Sequence, residues 1–192
     1  MPITLNGSGS LTGVSVGGLP DGIVQLADLG PTTGKNGPIL QVVSTTKTDT
    51  FSETVASATN SAIVTGLTVS ITPSASTNKI LILYNIPTSL QALYVLLDKG
   101  GSVITDSTGD AASNRARMTS SRPYNSQDDY VGVISGNYLD TAGSTSALTY
   151  GIRLRHSSGS NQTLYVNRSG LDQDSAVIAR TSAVITAMEV AA

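Results

Sequence analysis

The stretch ALTYGIRLRH, residues 147–156, carries the cleanest alternation in the chain. Leu148, Tyr150, Ile152 and Leu154 fall on one side of an extended backbone, and Thr149, Gly151, Arg153 and Arg155 on the other. Successive side chains of a strand point to opposite faces, so the pattern predicts a strand with one face in a core and one in water. His156 follows the outward-facing Arg155 at the strand end. It reads as a surface-loop residue rather than as the base of a nucleophilic triad, which needs a nucleophile within reach.

The same period of two recurs along the chain. Leu67, Val69 and Ile71 alternate with Thr68 and Ser70 and stop before Pro73, which cannot donate to a ladder. ILQVV (39–43), VGVISGNYL (131–139), TLYVNR (163–168) and TSAVITAMEV (181–190) read as further strands. KILILYNI (79–86) is almost continuously apolar and short, which predicts a strand covered on both faces. LQALYVLLDKGGSVI (90–104) predicts a hairpin turning at Asp98-Lys99-Gly100-Gly101, where glycine supplies the positive φ of a tight turn. Residues 105–130 are polar and irregular, and little helix is expected. Many short strands separated by turn residues give an all-β fold: an antiparallel β-sandwich, jelly-roll-like, over residues 39–192.

Residues 1–38 differ. They are rich in glycine and proline, with scattered single apolar residues, and read as an extended N-terminal arm rather than a compact domain. The arm reads either as an unstructured terminus or as a peptide that orders on a neighbouring subunit, for which IVQLADL (23–29) offers Ile23, Val24, Leu26 and Leu29. Such an arm gains backbone hydrogen bonds along a partner's sheet edge without large side chains.

Composition narrows the function. Charged residues make up 12% and aromatic residues 4% of the 192, with a formal net charge of -2. Serine and threonine together supply roughly a quarter of the chain, well above ordinary usage. There is no electrostatic reason for binding nucleic acid or an acidic membrane surface. All seven arginines lie from Arg115 onward, yet they alternate with acids and polar residues and form no basic tract. No apolar run has the length of a membrane span, and MPITLNGSGS lacks the basic start and apolar run of a secretory signal. The sequons at Asn6, Asn161 and Asn167 then read as chance matches in a Ser/Thr-rich chain. With no cysteine and one histidine, neither disulfides nor thiolate or His-rich metal sites are expected.

The remaining chemistry is thin. No phosphate-cradling glycine motif stands between a strand and a helix. Asp106, Asp110 and Asn114 offer oxygen ligands but lack calcium-loop spacing, and read as a turn with Asp side chains bonded to backbone N–H groups. Asp172 and Asp174 read as a solvated turn before the last strand, balanced by Arg168 and Arg180. The most suggestive binding element is SRPYNSQDDY (121–130). Tyr124 and Tyr130 flank Asn125, Gln127, Asp128 and Asp129, and tyrosines beside flexible polar groups can stack on a sugar ring and bond its hydroxyls. The alternative is an ordinary long sandwich loop. No catalytic residue, cofactor or metal is expected.

Several pieces, in order along the chain, resemble small structural proteins from the virions of tailed bacteriophages, of the marine and cyanobacterial tail-fibre-like type. They are ILQVVSTTKTDTFS, GLTVSITPSASTNKILI, GDAASNRARMTS and the terminal TLYVNRSGLDQDSAVIARTSAVITAMEVAA, with GLPDGIVQLADL in the arm. The resemblance implies a non-enzymatic, β-rich virion component, a homotrimer whose arm joins other virion proteins and whose head meets a host-surface glycan or protein. The chain has no collagen-like repeat, coiled-coil heptad or shaft, so a short fibre or adhesion protein fits its length, as does a capsid decoration protein. A carbohydrate-binding module is the further alternative.

Overall fold

The computed structural model describes residues 39–89, 93–122 and 130–192. The strands are β1 (Ile39–Lys47), β2 (Phe51–Val55), β3 (Ile63–Ile71), β4 (Lys79–Ser89), β5 (Leu93–Lys99), β6 (Ser102–Val103), β7 (Ser120–Ser121), β8 (Gly132–Thr141), β9 (Leu148–His156), β10 (Gln162–Val166) and β11 (Ala183–Val190). Among the described residues the helical content is one 3-10 turn, Thr105–Ser107. Every strand pairing is antiparallel.

Two sheets result. In sheet A, β8 pairs one edge of β4 from Thr88 back to Lys79. The other edge of β4 pairs β11 along Lys79–Asn85 and β10 at Thr88 and Ser89. β1 lies outside β11, and β2 outside β10. Sheet B runs β3-β9-β5, with β6 and β7 both on the far edge of β5. Taking β1 with β2, β6 with β7, and β10 with β11 each as one interrupted strand, the sequence reduces to eight strands. Their spatial order, 1-8-3-6 in one sheet and 2-7-4-5 in the other, is that of a jelly roll.

The period of two explains the core. Ile80, Ile82 and Ile86 of β4, Ile185 and Ala187 of β11, Val95 and Leu97 of β5, and Ile152 and Leu154 of β9 all point between the sheets and are fully buried. Each large side chain among them stabilises the fold by roughly 1.5–3 kcal/mol. The β5–β6 hairpin turns through Gly100 at φ +61 and Gly101 at φ +91, the left-handed pair that a two-residue turn requires.

Three expectations are corrected. KILILYNI is not covered on both faces: Ile80, Ile82, Tyr84 and Ile86 are buried, but Leu81 and Leu83 are half-buried on the outer side of sheet A and Asn85 is exposed. The strand begun by Thr163 ends at Val166, because Asn167 adopts φ +63 and turns the chain out of the sheet. His156 lies inward rather than at the surface, on the same side of β9 as Ile152 and Leu154.

Candidate functional site

Of the tyrosine-bearing loop, Tyr130 is described, and it stands 59% exposed just ahead of β8. Tyr124, Asn125, Gln127, Asp128 and Asp129 lie outside the described residues, as do Ile23, Val24, Leu26 and Leu29 of the arm.

His156 is 2% exposed. Its Nε2 lies 3.0 Å from the Val55 carbonyl, which only accepts, and its Nδ1 lies 3.2 Å from the Ser158 N–H, which only donates. The ring is therefore neutral with its proton on Nε2, and both nitrogens are spent on backbone. It fastens β9 to β2 rather than activating a nucleophile.

The turn after β10 is likewise structural. The Asp172 carboxylate sits 3.2 Å from Arg168 and 2.6 Å from Arg180, while Asp174 is exposed. Asn167 is fully buried, and its Nδ2 donates to the carbonyls of Lys47 at 2.8 Å and Asp49 at 2.9 Å. It thus spans the break between β1 and β2. The Thr181 N–H closes the base of the loop on the Asn167 carbonyl at 3.2 Å. Its sequon amide serves backbone carbonyls, leaving no exposed nitrogen for a glycan.

The other buried or half-buried carboxylates have fixed partners. Asp98, 1% exposed, accepts from Arg153 Nε at 2.7 Å and from the Gly101 N–H at 2.7 Å. Asp140 accepts from Lys99 Nζ at 2.6 Å and from the Tyr150 hydroxyl at 2.8 Å. Burial, then the bond to Asp140, pushes the Tyr150 phenol far above its ordinary range. Burial alone would raise the Glu189 carboxyl. Donors from Asn78, Gln41, Ser74 and the Ser74 N–H reverse that and hold it down at about 2. Asp106, Asp110 and Asn114 are exposed. Among the described residues no group of three or more histidine, aspartate or glutamate side chains converges on one point.

What remains is surface, and the two outer faces of the sandwich differ. On sheet A the register aligns Val42, Met188, Leu81 and Leu139 side by side across four strands, all outward. Val42 is 55% and Leu139 52% exposed. The next row is Ser44, Thr186, Leu83 and Asn137, and the row beyond it Thr46, Val184, Asn85 and Ser135. The ionic side chain on this part of the face is Lys79, which donates to Thr141 Oγ1 at 2.7 Å.

Sheet B presents the opposite character. Tyr94 of β5 faces outward, directly across the ladder from Arg155 on one side and Ser121 on the other. Segment 109–119 passes beside it and brings Arg115 and Arg117. Two hollows meet at Tyr94 and Ala116: one of about 680 Å³ along that segment, and one of about 280 Å³ bordered by Arg155, Ser157 and Ser158. The alternation of β5 and β9 marks Tyr94 and Arg155 as outward. Their pairing is a matter of register, which no local pattern encodes.

A scan of family models finds no match to this chain, and a search of curated proteins finds none either.

Proposed function

We propose that the chain is a structural virion protein of a tailed bacteriophage, a short trimeric tail fibre or adhesion protein. In this reading residues 1–38 anchor it to another virion protein and the sandwich from residue 39 onward forms the head, without catalytic activity or cofactor. The family rests on the ordered resemblance of the quoted pieces. The assembly role rests on one observation: the outer face of sheet A, with its apolar row and no acid, histidine or arginine on the paired positions.

A second copy of the chain is the occupant that face fits. Apolar and hydroxyl rows set no like charges against each other where copies of the chain meet around a three-fold axis, and closed symmetry is the common outcome for self-association. Four strands about 4.8 Å apart, each presenting about seven residues at roughly 3.3 Å, span about 450 Å². A standard contact takes about 800 Å² per partner, so this face supplies roughly half of one, with the apolar row at its centre.

Removing residues 1–38 tests the anchor. The truncated protein is expected to stay folded and oligomeric but to be missing from virions, and normal incorporation would contradict the proposal. One second reading draws support from the strand order, since jelly rolls are common in viral capsids: a decoration protein on the head. Copy number per virion separates the two, with hundreds pointing to the capsid and a few tens or fewer to the tail.

A further inference from the structure

We propose that the groove over Tyr94 is a binding site for an anionic saccharide, a sugar chain carrying carboxylate or sulfate groups. The inference rests on the host-attachment reading for its biological setting, but it is built from the groove itself.

Tyr94 supplies the floor. Its ring lies half-buried on the outer face of sheet B, fixed between the neighbouring strands β7 and β9. An aromatic ring held in this way stacks on the apolar side of a sugar ring with little entropy to lose. Arg155, opposite Tyr94 on β9, and Arg115, on the passing segment, supply charge from two sides. Among the described residues neither guanidinium has an ion pair or a side-chain hydrogen bond. Arg117 is held in place instead, donating from Nε to the Gly109 carbonyl at 2.6 Å.

Two unengaged guanidinium forks beside an aromatic floor match planar or tetrahedral anions bidentately. Among the described residues Asp110 is the one acid on the groove's lining, against Arg115, Arg117 and Arg155. Ser121, Ser157 and Ser158 border the groove with hydroxyls that both donate and accept, as sugar hydroxyls demand. The joined hollows have room for a short oligosaccharide rather than one ring. Single-stranded nucleic acid also stacks on tyrosine and pairs with arginine, but it takes a longer cationic track than three arginines provide.

Isothermal titration of the full chain tests the site with four probes: trigalacturonate, a sulfated heparin disaccharide, neutral cellotriose and oligodeoxythymidine. Binding of one or both anionic sugars is expected, with no measurable binding of cellotriose and weaker binding of the oligonucleotide. The first two probes distinguish carboxylate from sulfate as the preferred group. Replacing Arg155→Gln and Arg115→Gln together should weaken the bound sugar about tenfold to a hundredfold. Both side chains reach solvent, so an unchanged circular dichroism spectrum is expected, and Arg155→Lys should recover part of the binding. Failure of both anionic sugars to bind, equal binding of cellotriose, tighter binding of the oligonucleotide, or full affinity in the double variant would each overturn the site. A chain that joins virions normally yet binds neither anionic sugar overturns this site alone and leaves the virion role standing.

Discussion

The two outer faces of the sandwich are built from the same period of two and differ in chemical character. Sheet A turns Val42, Met188, Leu81 and Leu139 outward in one lateral row, with hydroxyl rows beside it. Sheet B turns out Tyr94, Arg153 and Arg155, with Arg115 and Arg117 brought alongside. A strand needs only one apolar face to fold, so the residues on the other face are free to record what the protein meets. We propose that one face meets a second copy of the chain and the other a charged, hydroxyl-rich ligand.

The largest expected effect lies on the first face. Val42→Asp with Leu139→Asp places charges where the copies would meet. Each uncompensated charge in a dry contact costs several kcal/mol, so association should fall by about a hundredfold or more per charge. Both residues are more than half exposed, so the monomer should melt near the wild-type temperature. Unchanged assembly, read by analytical ultracentrifugation, would place the contact elsewhere.

On sheet B the charges divide into those that hold the fold and those that do not. Arg153 partners the almost fully buried Asp98, so Arg153→Met should destabilise the domain by about 3 kcal/mol, because breaking a buried pair strands its partner. Arg155 has no such partner, and Arg155→Gln should leave chemical denaturation within about 0.5 kcal/mol of wild type. Equal effects from the two would erase the distinction between structural and available arginines.

Acid separates the inside of sheet A from its outside. Glu189 points inward from β11, between the outward Met188 and Val190. Its carboxyl titrates near 2 when folded, against an ordinary value of 4.5. The folded-state value is the lower one, so this contribution is complete above about pH 4.5 and is lost as pH falls toward 2. Roughly 3 kcal/mol should disappear over that window, and Glu189→Gln should flatten the curve. The outer rows of sheet A contain no group that titrates there, so the association constant of the still-folded chain should not follow pH over it. The smallest effect is expected for Val42→Thr, under about 0.5 kcal/mol on the monomer but measurable on the oligomer.

Much of this was legible in the sequence. The alternation of 147–156 and 67–71 gave both strands and their inward residues, and the two glycines gave the hairpin. β2 was missed because its inward series, Phe51, Glu53 and Val55, is interrupted by an acid, which accepts the Ala62 N–H at 3.1 Å from each carboxylate oxygen. His156 was misplaced because a polar residue at a strand end reads as exposed, whereas its parity with Ile152 and Leu154 put it inside. The candidate surfaces were the least legible part. Val42 and Met188 are far apart in sequence, as are Tyr94 and Arg155, and each pair meets only through strand register.

The most direct test of the central idea, that the uncharged face of sheet A is an assembly face, is the solution mass of the full chain set beside that of Val42→Asp with Leu139→Asp. The account predicts three times the 19.6 kDa chain mass for the wild type and the single chain mass for the variant. A wild type that sediments as a monomer at every concentration, or a variant that keeps the wild-type mass, would contradict it.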